Sequence, residues 1–217
     1  MKDFKIVWSA RSECGPNRKK NEDTIFPPIS GSSKPPFKAA VCDGLGGHVN
    51  GDIASKIAAD TLLKEITDLN QIITEANKNI LEYQEKNPSS LGMGTTMTAI
   101  SIDSDALMKI GHVGDSRCYV LSDRNLIKVT EDQNVPGYQN VLKQALGSNE
   151  KLNIQEVDFQ LQIGDVVFLC SDGLYNEVGE EYIKKKMQDG ISADTFVGEV
   201  LLLNPKDNVS AIVINLV

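Results

Sequence analysis

Acidic residues beside glycine, or at the ends of apolar runs, are the part of this sequence best suited to chemistry. Asp43-Gly44 follows Lys38–Cys42, Asp115 follows Leu107–Val113 in Gly114-Asp115-Ser116-Arg117, and Asp172-Gly173 follows Val166–Cys170. Asp207-Asn208 precedes Val209–Val217, and Asn21-Glu22-Asp23 leads into Thr24-Ile25-Phe26 after a Gly15-Pro16-Asn17 turn. Carboxylates brought together at strand ends repel one another unless cations neutralise them. Their hard oxygens suit Mg²⁺ or Mn²⁺. Each acid also has a plainer reading, since Asp-Gly is a common turn and Glu22-Asp23 alone would pass for solvated surface. It is the conjunction, at the ends of the most apolar segments, that favours a multi-carboxylate metal site.

Other chemistries are poorly supplied. There are 2 histidines, His48 and His112, and 4 scattered cysteines, Cys14, Cys42, Cys118 and Cys170, with no Cys-x-x-Cys pair. That spacing excludes a Cys-rich zinc module and a disulfide scaffold, and the cysteines read as small buried hydrophobes of a reducing cytosol. The glycine-rich Asp43-Gly44-Leu45-Gly46-Gly47-His48 lacks the Gly-Lys-Ser/Thr ending of a phosphate-binding loop, and His48 reads as structural.

The elements that must position these acids are mostly strands. Phe4–Ser9, Lys38–Cys42, Thr95–Asp103, Leu107–Val113, Cys118–Ser122, Leu126–Thr130, Val166–Cys170 and Val209–Val217 have strand composition. Ile53, Ile57, Ala58, Leu62 and Ile66 recur at helical spacing, predicting a helix over Asp52–Thr67 with an antiparallel neighbour at Asn70–Glu85. Glu180–Met187 and Ala193–Leu203 also read as helices. Prolines and small polar residues over Pro27–Pro36 predict a surface loop. Consecutive strands joined by short turns argue for antiparallel sheets with a helical pair inserted.

The 217 residues carry 22 basic and 30 acidic side chains, a net charge of −8, which disfavours a phosphate-backbone binder and a polybasic membrane anchor. No apolar run approaches the roughly 18 residues of a spanning helix, and Met1–Val7 lacks the features of a secretory signal. One cytoplasmic domain over residues 1–217, without nucleic-acid partners, is expected.

In order along the chain, the segments resemble the motifs of the metal-dependent Ser/Thr protein phosphatases (PPM or type 2C) in their bacterial form. The resemblance runs through Arg18-x-x-Asn21-Glu22-Asp23, Asp43-Gly44-Leu45-Gly46-Gly47-His48, Gly94-Thr95-Thr96, Val113-Gly114-Asp115-Ser116-Arg117, Gln144-Ala145-Leu146-Gly147, Cys170-Ser171-Asp172-Gly173-Leu174 and Asp207-Asn208-Val209-Ser210. It implies an α+β fold, a four-layer αββα sandwich of two antiparallel sheets flanked by helices. It implies two Mn²⁺ or Mg²⁺ ions and a weaker third. Asp43 would bridge the pair and the Gly44 carbonyl would bind one ion. Asp172 and Asp207 would hold the other, with Glu22 or Asp23 completing the shell and Asp115 serving the third. Arg18 would clamp the phosphate, for which its planar fork is suited.

The implied activity is hydrolysis of phosphoserine and phosphothreonine in proteins, by a monomer with a cognate Ser/Thr kinase as counterpart. The alternatives are a dedicated partner-binding regulator and a non-catalytic pseudophosphatase of the same fold. The sequence departs from the family at Leu45, where many eukaryotic relatives carry a histidine, and at Gln133, where Thr-x-Asp-His is usual. The flap that normally precedes the Ala-Leu-Gly segment is expected to be nearly absent, replaced by a tight turn at Asn134-Val135-Pro136-Gly137.

Overall fold

Strands covered on both faces need apolar residues at nearly every position, and the central strands here read that way. The computed structural model describes residues 4–45, 50–148 and 151–217. The Gly46-Gly47-His48 part of the glycine-rich segment, with the structural reading of His48, lies outside the described residues. The elements in chain order are β1 (Ile6–Glu13), β2 (Asp23–Phe26), β3 (Gly31–Ser33), β4 (Phe37–Asp43), α1 (Gly51–Thr61), α2 (Leu69–Lys86), β5 (Met97–Ile102), β6 (Leu107–Val113), β7 (Arg117–Ser122) and β8 (Asn125–Lys128). There follow β9 (Asn134–Val135), β10 (Tyr138–Leu142), β11 (Gln155–Gln160), β12 (Val166–Cys170), α3 (Asp172–Tyr175), α4 (Glu180–Gln188), α5 (Ala193–Leu201) and β13 (Val209–Leu216).

Among the described residues these strands form a 6-stranded sheet, β3-β1-β13-β12-β7-β8, a 5-stranded sheet, β11-β6-β5-β4-β2, and the β9-β10 hairpin, all with antiparallel pairing. Alternation along each strand assigns side chains to separate apolar layers. Ile6, Val41, Ile100, Ile110, Val120, Leu169 and Ile214 meet between the sheets. On the far face of the 5-stranded sheet, Ala40, Cys42, Met97 and Val113 pack against Ala58, Ile72, Ile73 and Ile80 of α1 and α2. On the far face of the other, Tyr119, Phe168, Ala211 and Val213 pack against Ile183, Met187, Phe196 and Val200 of α4 and α5. Each fully buried aliphatic or aromatic side chain is worth about 1.5–3 kcal/mol, so three such layers fix the order helix, sheet, sheet, helix. This is the four-layer sandwich the resemblance implies.

The structure departs from the sequence reading in places. The helix predicted to Thr67 stops at Thr61, because Lys38 Nζ donates to the carbonyls of Leu62, Lys64 and Ile66 at 3.1, 3.0 and 2.9 Å and satisfies the chain beyond it. The proline-flanked loop over Pro27–Pro36 contains β3, a 3-residue edge strand on β1, where prolines outside the ladder do no harm. Strand β11 escapes a hydrophobicity reading because it is an edge strand whose residues alternate between half-buried and exposed. Cys14 is exposed, unlike Cys42, Cys118 and Cys170. The short segment after Thr130 forms a hairpin, β9 and β10 joined at Pro136-Gly137, so the site keeps a small flap where almost none was expected.

Candidate metal centre

Of the acids singled out by the sequence, the sheets bring Asp43, Asp115, Asp172 and Asp207 from separate strand ends to one cleft, whereas Glu22 and Asp23 do not line it. Arg18, Asp43, Asp115, Asp172 and Asp207 line a single cleft of about 760 Å³ at one end of the sandwich. Leu45, Thr96, Val141, Leu142, Lys143 and Lys206 complete much of its wall. Leu45 and the hairpin residues Val141 and Leu142 give it apolar patches beside the carboxylates.

Asp43 ends β4, and its backbone is held by the Gly94-Thr95-Thr96 segment. Its N–H donates to Thr96 Oγ1 at 3.0 Å, and its carbonyl accepts from Thr95 Oγ1 at 2.9 Å and from the Thr96 N–H at 2.8 Å. Gly44 follows in a space that excludes side chains: a Cβ there would lie 2.4 Å from the Gly51 carbonyl oxygen and 2.6 Å from that of Glu22. Asp172 begins α3 and Asp207 precedes β13, and these two segments touch at Gly173, where a Cβ would lie 2.0 Å from the Asn208 carbonyl oxygen.

Asp23 and Asp43 are register partners across β2 and β4, so their side chains share a face. The Asp23 carboxylate is buried and accepts at Oδ2 from the hydroxyls of Ser171 (2.8 Å) and Ser210 (2.6 Å). Of the pair left open by the sequence, Glu22 lies nearer Arg18, its Oε2 4.0 Å from Nη1. The Glu22 N–H donates to Asn208 Oδ1 at 3.0 Å, which ties the first motif to the last.

Arg18 donates through Nη2 to Asp207 Oδ2 and through Nε to the Lys206 carbonyl at 3.3 Å. Asp115 is buried. Its Oδ2 accepts from Asn134 Nδ2 at 2.9 Å, its carbonyl oxygen accepts from the Tyr175 hydroxyl at 3.0 Å, and the Gly114 N–H beside it donates to Gln133 Oε1 at 2.9 Å. Gln133, where the family usually has histidine, thus braces the Asp115 turn.

The electrostatics match a site built for cations. Burial, then Asp23, Asp172, Asp115 and Asp207 in turn, push the Asp43 carboxyl well above the usual carboxylate range. Burial with Asp115 and Asp207 lifts Asp172 to about 7, and burial raises Asp115 against the opposing hydrogen bond from Asn134. Burial also lifts Asp23 to about 6, although the Ser210 and Ser171 hydroxyls favour its charged form. Glu22 is raised by burial, partly offset by Arg18. Among the described residues no three His, Cys, Asp or Glu side chains converge as a ready-made metal cage. The donor set is instead a basin of hard oxygens whose charges work against one another, which is the chemistry that divalent cations relieve.

Sequence reasoning placed Thr96, Ser171, Asn208 and Ser210 within motifs and Asn134 in a turn but gave them no supporting role, and it missed Tyr175. Ser210 and Thr96 left a trace, as polar residues interrupting otherwise apolar strand segments. Tyr175 left none, since its role depends on segments that meet only in three dimensions.

The family model described as protein phosphatase 2C matches residues 16–201. A serine/threonine phosphatase, stp, of Listeria monocytogenes is 32% identical over 208 residues, covering 80% of this chain and 82% of that protein. The serine/threonine protein phosphatase PstP of Mycobacterium tuberculosis is 29% identical over 240 residues, covering 98% of this chain and 45% of that longer protein. The crystal structure of PstP/Ppp from M. tuberculosis superposes with a TM-score of 0.86 at 27% identity, covering 97% of this chain and 98% of that one. The PstP catalytic domain in complex with 2 manganese ions gives a TM-score of 0.86 at 28% identity, covering 99% and 100%. Sequence and fold therefore agree that the chain belongs to the protein phosphatase 2C family and is a protein phosphatase.

Proposed function

We propose that this protein hydrolyses phosphoserine and phosphothreonine in protein substrates, using two Mn²⁺ or Mg²⁺ ions held by the carboxylates of the cleft. The observation that carries the reading is the convergence of Asp43, Asp115, Asp172 and Asp207 with Arg18 in one cleft. The PstP catalytic domain, similar over 99% of this chain, binds 2 manganese ions, and this supports the same cofactor here. When bound, such ions supply an activated water and neutralise the oxygens of a dianionic phosphomonoester.

The chain's own residues supply the rest. Asp43 would be shared between the ions with the Gly44 carbonyl beside it, Asp172 and Asp207 would hold the second, and Glu22 would complete the set. Asp23, register partner of Asp43 and held by the Ser171 and Ser210 hydroxyls, would be the alternative to Glu22, and Asp115 would serve a weaker third ion. Arg18 already faces the cleft, paired with Asp207. Its bidentate fork would exchange that partner for the phosphate oxygens, which orients the ester for in-line attack. Leucine at 45 moves no proton, so the residue at this position is not the general acid.

The chain is further read as a single cytoplasmic domain over residues 1–217, a monomer opposing a Ser/Thr kinase. Among the described residues no helix is long and apolar enough to cross a membrane. The test is phosphate release from phosphoserine, phosphothreonine and phosphotyrosine peptides with Mn²⁺. Release from the first two, abolished by EDTA, supports the reading. Tight binding of phosphopeptides without release would mark a pseudophosphatase and overturn it.

A further inference from the structure

Asp115 and Asp172 reach the same cleft from different elements, a turn after β6 and the start of α3. Nothing covalent sets the distance between them, and a buried and a half-buried carboxylate in one cleft push apart. Something must hold the turn against that repulsion.

One side chain spans the gap. Tyr175 stands three residues after Asp172 on α3, and its hydroxyl donates to the carbonyl of Asp115 itself at 3.0 Å. Its ring carries the Arg117 guanidinium, whose central carbon lies 3.5 Å from the ring centroid. Arg117 is two residues beyond Asp115 and is itself fixed by a fork onto Asp132, with Nε 3.0 Å from Oδ1 and Nη2 2.6 Å from Oδ2. Arg117 Nη1 donates to the Tyr119 hydroxyl at 3.0 Å. The phenol therefore binds the turn at residue 115 while its ring face is clamped from residue 117. A planar, desolvated cation on an aromatic face is held more firmly than a lysine would be.

The geometry points to Tyr175 as a positioning residue: with Arg117 stacked on its ring, it fixes the Asp115 turn against α3 and so sets where the Asp115 carboxylate stands in the cleft. The inference rests on the proposed role of Asp115 in holding the weaker ion. Tyr175 does not line the cleft and acts through the backbone of Asp115.

The experiment is calorimetric titration of Mn²⁺ into the metal-stripped full chain, comparing wild type, Tyr175→Phe, Arg117→Lys and Asp115→Ala, with the melting temperature of each in EDTA. Tyr175→Phe keeps the ring and its stack but loses the hydrogen bond. It should keep a near wild-type melting temperature while weakening the low-affinity Mn²⁺ site roughly threefold to tenfold, the worth of one such bond. The Mn²⁺ concentration for half-maximal phosphatase rate should rise by the same factor, with the maximal rate recovered at high Mn²⁺. Arg117→Lys, which loses both fork and stack, should weaken that site further. If Asp115→Ala abolishes the weak site and Tyr175→Phe leaves it unchanged, the positioning role is overturned and the reading of Asp115 stands. If Asp115→Ala itself leaves Mn²⁺ binding unchanged, Asp115 holds no ion and both fall.

Discussion

Asp43 carries the largest burden of any single side chain. Its backbone is held by Thr95 and Thr96, its side chain shares a face with Asp23, and four other aspartates raise its carboxyl. Asp43→Asn keeps the shape and removes the charge, so the fold should survive while turnover falls at least tenfold at saturating Mn²⁺, about 1.4 kcal/mol or more of transition-state stabilisation. Steady-state rates with circular dichroism as the folding control check this, and a variant retaining more than a tenth of the rate would refute the bridging assignment. Gly173 is the backbone counterpart. A Cβ 2.0 Å from the Asn208 carbonyl oxygen must displace the contact between the Asp172 and Asp207 segments. Gly173→Ala should therefore cost about 1–3 kcal/mol of stability by overpacking and weaken Mn²⁺ binding. Urea unfolding and calorimetry read the two effects separately.

At the scale of elements, β6 and the segment after β8 are locked by a buried histidine. His112 Nε2 lies 3.1 Å from the Glu131 carbonyl and Nδ1 2.8 Å from the Thr98 hydroxyl, which itself donates to the Ser116 carbonyl at 2.9 Å. Burial pushes its pKa down to about 4, against the pull of the Glu131 carbonyl and Asp132, with Lys128 nearby acting in the same direction as burial. The folded state thus refuses a proton that the unfolded chain takes up near 6.5. This contribution to stability is complete above pH 6.5 and is lost as pH falls toward 4, by on the order of 3 kcal/mol. The difference in unfolding free energy between wild type and His112→Gln, measured from pH 7 to 4.5, should shrink along that window. A constant difference would contradict the neutral, buried assignment.

The elements also show what a sequence can disclose. Val166–Cys170 was legible to the residue, because a strand covered on both faces is a continuous apolar run, and Leu107–Val113 was legible despite its exposed Lys109. The polar edge strand β11 and the β9-β10 hairpin were not, since their pairing partners lie far away or depend on a turn. For the site, the acids were legible as turn-like residues at strand ends. Their convergence, and the hydroxyls of Ser171 and Ser210 beneath Asp23, belong to the sheet order and could not be read from spacing.

Across the whole molecule, an end of the sandwich crowded with like charge is a local liability that cations convert into a gain. Any ligand that binds only the folded state stabilises it by mass action, about 2.7 kcal/mol at a hundred times its dissociation constant. For a chain of this size that corresponds to roughly 5–10 °C per site. Calorimetric scans should show a higher melting temperature with Mn²⁺ than with EDTA, and the increment should disappear in Asp43→Asn. An equal increment in the variant would place the stabilising ions elsewhere. The central claim, that these carboxylates hold the cations that make the protein a phosphatase, is tested most directly by titrating Mn²⁺ into metal-stripped protein while following p-nitrophenyl phosphate hydrolysis. The account predicts no measurable rate without metal and a saturable rise as Mn²⁺ is added; hydrolysis that proceeds equally in EDTA would contradict it.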